Sequence, residues 1–355
     1  MHTNPDLVKS NPHNFISIQV FRFIAAFMVI VCHSSFYTFE RLTKEVNIYR
    51  EGANGVSLFF VISGFVMIIS SEHLIHTANG WKIFAVKRLI RIVPVYWLIT
   101  ACKLLLMLVA AGFVYHAQLD VWLILKSFFF IPALNVDREF RPVYGVGWTL
   151  NLELFFYLLF ALSLALKIRP IPFLAFIFIP LAILSYYKTP GWLAIGFYAE
   201  PLVLNFLYGM MAAKLIVKGK KIPAILSILL IVLGLLYLFI PGIDLFGDGY
   251  EARTLTAGAA SFFVIYSGAS IDRLFKAKVP AWLIYLGGAS YSLYLVHPGI
   301  APLIPTILDK INLKIPFLSV ALSVMVATIA GVVFYSYLEK PITKLLTKKM
   351  KKFET

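Results

Sequence analysis

A chain of 355 residues that is 60% hydrophobic and only 14% charged excludes a pair of ordinary soluble domains, a disordered chain, and a fibrous or small secreted protein. Thirty-two Lys and Arg against seventeen Asp and Glu give +15, but the basic residues fall in short groups between long apolar runs. That spacing belongs to an integral membrane protein and not to a nucleic-acid binder.

A bilayer core about 30 Å thick needs about 20 apolar residues at 1.5 Å rise. In chain order, such runs lie near 15–37, 53–71, 92–114, 145–166, 171–187, 192–216, 222–240, 253–271, 281–304 and 316–338. The fifth is short and contains Pro180. The apolar stretch 121–134 ends at Pro132 and is too short to span comfortably, so it reads as an outer interfacial or re-entrant helix. The expected fold is therefore an all-α polytopic membrane protein of about ten transmembrane helices.

With the N-terminus inside, Lys82, Lys87, Arg88 and Arg91, then Lys214, Lys218, Lys220 and Lys221, then the tail from Lys340 to Lys352 all fall on the cytoplasmic side. The positive-inside rule thus predicts both termini cytoplasmic. Three parts are expected: a polar leader over 1–14, a transmembrane domain over 15–345, and a basic tail over 346–355 suited to anionic lipid. The first apolar run is too long for a cleaved signal and should anchor instead. Cys32 and Cys102, both in apolar stretches, offer neither a disulfide framework nor metal spacing, and no metal is expected.

Ionisable side chains at bilayer depth cost about 3 kcal/mol each on insertion scales, which makes each a functional candidate. Five stand inside the predicted spans: Arg22, His33, Glu153, Glu200 and His297. Arg22 and His33 are eleven positions apart, so at 100° per residue they share a stripe, with a rise of about 16 Å between them. Counting residues from the span ends puts His33, Glu153 and His297 at one depth in the outer half. An imidazole and a carboxylate in a low-dielectric pocket suit general-base catalysis, because the carboxylate fixes the tautomer and stabilises the imidazolium. Glu200, before Pro201, is equally well explained as a helix-to-helix hydrogen bond. Arg88 and Arg91 are i,i+3 neighbours whose guanidinium forks suit phosphate, although positive-inside anchoring explains them as simply. Gly52, Gly55, Ser63 and Gly64 allow a helix or a slender ligand to approach the second run closely. Cys32 points about 100° away from its neighbour His33 and reads as packing.

Taken in order, several segments resemble the membrane acyltransferase-3 family. They are Arg22 and His33, the run from Gly52 to Phe65 (GANGVSLFFVISGF), Arg88 to Trp97 (RLIRIVPVYW), Trp148 to Tyr157 (WTLNLELFFY) and Tyr291 to Pro298 (YSLYLVHP). The resemblance implies a bacterial inner-membrane enzyme that moves an acyl group, usually acetyl, from cytoplasmic acetyl-CoA to a hydroxyl of an envelope or exported glycan. It implies a catalytic group of His33 as base, Glu153 orienting its imidazole, and Arg22 stabilising negative charge. Arg88, Arg91, Ser63 and Gly64 would receive the donor, while Trp148, Tyr157 and His297 would shape the acceptor side. A transient acyl-histidine is a second possible route. Expected partners are the glycan acceptor, acyl-CoA, membrane lipid, and a glycan-synthesis complex or a second copy of the chain, with no nucleic acid. The same buried Arg, His and Glu also suit a proton-coupled transporter or glycan flippase, although no paired halves with broken helices are visible.

Overall fold

The computed structural model describes residues 15–109, 119–189, 192, 194–242 and 249–354, so the expected leader 1–14 lies outside the described residues. Among these residues the chain is helical, apart from one isolated antiparallel bridge between Leu134 and Phe140.

Helix α1 (Ile16–Arg41) and helix α2 (Asn54–Ser71) form an antiparallel pair. The Phe15 and Phe65 rings meet at the end where α1 begins, here called the lower end. Toward the upper end the backbone of Gly52 lies against Met28 and Cys32. Helix α3 (Gly80–Val109) rises again and runs on through Pro94. Helix α4 (Val121–Phe128) has only eight residues and is N-capped by Asp120, whose carboxylate accepts from the Trp122 and Leu123 amides. It is too short to cross a bilayer, and it is fastened to α3 by the Trp97 indole N–H donating to Phe128 O. Helix α5 (Trp148–Ala165) then descends.

The middle of the chain forms α6 (Pro170–Ser185), α7 (Ala194–Tyr198), α8 (Leu204–Val217), α9 (Ala224–Phe239), α10 (Tyr250–Ser270) and α11 (Asp272–Lys278). Helix α8 runs parallel to α2, as the Lys214–Glu72 ion pair (2.7 Å) at the lower end requires. The α2–α8 crossing depends on two glycines: a Cβ on Gly64 would stand 2.0 Å from Phe206 O, and one on Gly209 would stand 1.9 Å from Val61 O. Beside that crossing, Phe206 stacks between Phe60 (4.4 Å) and Phe156 (4.3 Å), joining α2, α8 and α5.

The last part comprises α12 (Ala281–Gly288), α13 (Ser290–Ile300), α14 (Leu303–Lys310), α15 (Pro316–Phe334), a π-helical turn (Tyr335–Glu339) and α16 (Lys340–Glu354). The run expected to be continuous over 281–304 is broken between α12 and α13. A Cβ on Gly287 would stand 2.1 Å from Gln19 O, so α12 touches the α1 backbone there before the chain restarts as α13. Asp272 fastens the start of α1, accepting from the Ser17 amide and hydroxyl (2.8 Å each).

Among the described residues, six helical stretches are long and apolar enough to cross a membrane: Ile16–Arg41, Arg50–His76, Gly80–Val109, Gly145–Ala165, Ser290–Lys310 and Pro316–Met350. The α10–α11 pair, bent by 70°, makes a seventh if it is one span, and Pro170–Ser185, Pro201–Val217 and Ala224–Phe239 are shorter apolar helices. The outermost helices have small residues inside and large apolar ones outside. Helix α15 buries Ser319, Ser323, Ala327 and Gly331 while Phe317, Met325, Ile329 and Val333 are exposed. Helix α9 buries Ser227, Gly234 and Leu238 while Ile225 is exposed. In water that arrangement would be unfavourable; in lipid, small residues facing inward allow close helix packing.

Candidate active site

The stripe shared by Arg22 and His33 on α1 faces the parallel helix α13. Arg22 donates from Nε to the Ser290 hydroxyl (3.1 Å), and His33 Nδ1 lies 2.7 Å from His297 Nε2. Ser290 and His297 are seven residues apart, nearly two turns, so they too lie on one face. One helix pair therefore presents two polar contacts at two levels.

The upper contact has a defined proton arrangement. His297 Nδ1 lies 3.1 Å from Leu293 O, and a carbonyl can only accept, so Nδ1 carries the hydrogen. In a neutral His297 ring Nε2 is then an acceptor, and His33 Nδ1–H donates to it. This leaves His33 Nε2 with a free lone pair, the form a general base needs. His297 is fully buried, whereas His33 is half-buried. Arg141, in the loop before α5, is within electrostatic reach of His33 and Tyr37.

Glu153 is elsewhere. Its carboxylate accepts from the Ser63 hydroxyl (3.0 Å) and from the Tyr157 hydroxyl. Gly52 packs against Cys32, next to His33, and Ser63 lies eleven residues further down α2, a descent of about 16 Å. The sequence-based expectation that Glu153 orients the His33 imidazole is therefore corrected: the partner of His33 is His297. Residue counting from an assumed span end placed Glu153 too high. Its helix starts at Trp148, and Thr149 is already level with Tyr294, to which it is bonded at 2.9 Å.

Glu153 belongs to a partly open cavity of about 730 Å³, mouth included. Arg22, Arg91, Ser63, Tyr157 and Ser290 line it, together with Tyr291, Tyr294, Phe59 and Phe60. On α2 the lining runs from Val56 to Met67, eleven residues or about 16 Å along the helix, so the cavity is long and upright. Its upper end is closed by Tyr294, whose ring is 5.8 Å from Phe59 and 5.9 Å from His297. Neither histidine of the pair lines it.

The other expected site residues divide. Arg91 lines the cavity and is half-buried. Arg88 is not on a rim: it is buried, donates to Ser70 Oγ (2.8 Å), and lies over the Phe84 and Tyr157 rings at 5.6 and 5.8 Å. The i,i+3 spacing puts the two guanidiniums about 60° apart around α3, enough for one to enter the cavity and the other to lock α3 to α2. Gly64 lies in the α2–α8 crossing, and the close approach it permits is by a helix. Tyr157 faces the cavity with Glu153, not the upper side, and Trp148 packs on the core. Glu200 pairs with Lys188 (2.6 Å). Cys32 is buried.

Two buried carboxylates escaped the sequence reading, Asp272, which fastens the start of α1, and Glu339. Glu339, at the end of the π-helical turn, accepts from the Ser292 hydroxyl and is within electrostatic reach of Arg91 and Arg22. It falls between the predicted last span, 316–338, and the basic residues that begin at Lys340. The available signal was a carboxylate continuing an apolar run, together with Ser290 and Ser292 spaced at i,i+2.

Taken with this geometry, the comparisons with known proteins are decisive for the class. The acyltransferase-3 family model, an acyltransferase domain, matches residues 15–337, and the chain belongs to that family. It is an acyltransferase with the helices of a multi-pass membrane protein. Among characterised relatives, the exopolysaccharide production protein ExoZ of Rhizobium meliloti (strain 1021) is 31% identical over 309 residues, covering 86% of this chain and 94% of the relative. No solved structure matches the chain significantly.

Proposed function

We propose that the protein is a bacterial inner-membrane O-acyltransferase that moves an acyl group, acetyl in the simplest case, from acyl-CoA to a hydroxyl of an exported polysaccharide. The similarity to ExoZ, an exopolysaccharide production protein, supports the acceptor class. The observation that carries the mechanism is the His33–His297 bond, with its free Nε2, above a cavity containing two arginines.

In this reading the donor's pantetheine arm enters the upright cavity from the lower, cytoplasmic side, and Arg91, Arg22, Ser63 and Glu153 hold its polar groups. Arg22 is fixed at Ser290, about 10 Å of helix rise below His297, so it acts on the donor arm and not on the reacting carbonyl. The acceptor hydroxyl arrives from the upper side. His33 Nε2 takes its proton as the oxygen attacks the thioester carbon; the C–S bond then breaks and the imidazolium returns the proton to the thiolate. While His33 is charged, its bond to His297 is charge-assisted and stronger, which stabilises the transition state.

The test uses purified protein in detergent with labelled acetyl-CoA and the exopolysaccharide acceptor. Transfer is expected, with His33→Ala lowering kcat by about 10²–10⁴, the usual contribution of a general base. Acceptor uptake into vesicles without any acyl transfer would contradict the reading and favour a carrier.

A further inference from the structure

The proposed reaction needs a thioester from the lower cavity to reach a base that does not line it. Tyr294 stands between them on α13, lining the cavity three residues before His297. Its ring touches Phe59 below and His297 above, and its hydroxyl is bonded to Thr149 Oγ1 (2.9 Å) and donates to Val146 O (3.2 Å). The Thr149 hydroxyl also lies 3.0 Å from Val146 O, but with its one hydrogen turned to the tyrosine oxygen it leaves Tyr294 to donate to that carbonyl, so the end of the tyrosine is held by two bonds at the start of α5. Tyr294 and Thr149 both line the cavity, as its upper wall. On the other side of this wall lies the half-buried imidazole of His33.

We infer that Tyr294 is a movable partition that determines acceptor specificity: latched to α5, it keeps the activated acyl group away from water admitted at His33, and it swings aside when a glycan occupies the upper side. The inference rests on the acyl-transfer reading above. A phenol ring held by two bonds at its tip suits this role. The ring is wide enough to fill the gap between α2 and α13, and freeing one hydroxyl releases it by rotation about χ1 and χ2 without unfolding a helix. Without the partition, water takes the place of the sugar: its oxygen forms the new C–O bond, the C–S bond breaks, and the products are a carboxylic acid and the CoA thiol. His33 relays the proton as in transfer.

The experiment measures CoA thiol release from acetyl-CoA, with and without glycan, alongside label on the glycan. In the wild type, thiol release should require the glycan. Tyr294→Phe keeps the ring and loses the latch, and Thr149→Val removes one of the latch's two partners without touching the ring. Acceptor-independent release should rise roughly ten-fold or more in Tyr294→Phe, the factor that loss of one neutral hydrogen bond supports, and rise by less in Thr149→Val. Adding His33→Ala to Tyr294→Phe should abolish the uncoupled release. Variants that elute as folded monodisperse protein and remain fully coupled would overturn the partition, as would loss of transfer in both without any gain in hydrolysis. A wild type that transfers nothing from acetyl-CoA would overturn the underlying reading and the partition together.

Discussion

At the scale of single residues, the chemistry follows from which polar groups find each other once water is gone. His33 and His297 satisfy one another at 2.7 Å, and Leu293 O fixes the proton on the far side of the pair. Glu153, two turns or more lower, is held by Ser63 and Tyr157 in the arginine-lined cavity. The two groups should therefore give different kinetic signatures. His297→Ala is expected to lower kcat by about ten- to a hundred-fold with KM for acetyl-CoA unchanged, because it removes an interaction that strengthens only in the transition state. Glu153→Gln should instead raise that KM more than it lowers kcat. Steady-state kinetics on the purified variants checks this, and the reverse pattern would restore Glu153 as the partner of His33. The sequence made both candidates visible, since an ionisable residue in an apolar run is conspicuous. Their pairing was not legible, because it depends on helix depth to within one turn, and span ends read from hydropathy are uncertain by about that much.

At the scale of elements, the cavity exists because helices come unusually close elsewhere. The α2–α8 backbones meet at Gly64 and Gly209, and the α1–α12 backbones meet at Gly287. Gly64→Ala is expected to lower stability by about 1–3 kcal/mol, the usual cost of overpacking a tight contact, read as an earlier midpoint when detergent-solubilised protein is heated. Gly145→Ala, where a Cβ meets nothing within 4 Å, is the control and should leave the midpoint unchanged. Equal midpoints for the two variants would mean that the crossing tolerates a side chain. Gly64 illustrates the limit of sequence reading here. The chain itself shows that something approaches closely, but a helix and a ligand impose the same requirement. The break between α12 and α13 was hidden for a related reason: Gly287-Gly288-Ala289 interrupts neither the hydropathy nor the length of the run.

At the scale of the whole molecule, the outer helices α9 and α15 turn large apolar side chains outward, and the polar groups buried inside the apolar core are organised by height. A mainly apolar cavity that carries Arg22, Arg91 and Glu153 lies below, a histidine pair lies above, and a tyrosine stands between them. The all-helical class and the family were legible from composition, spacing and motif order. Arg22, His33, Ser63, Arg91, Glu153, Tyr157 and His297 were legible as candidates, and all seven line the cavity or form the histidine pair. Glu339, Ser290 and Tyr294 were not, since a serine or tyrosine in a membrane helix has many structural uses and only the neighbours reveal this one. The proposed function requires donor and acceptor to reach the two levels from opposite sides of the bilayer. The most direct test seals labelled acetyl-CoA in oriented vesicles on the side where α1 begins and supplies the polysaccharide only on the other side. The proposed mechanism predicts label on the polysaccharide, lost in His33→Ala; transfer only when both substrates share one side would contradict it.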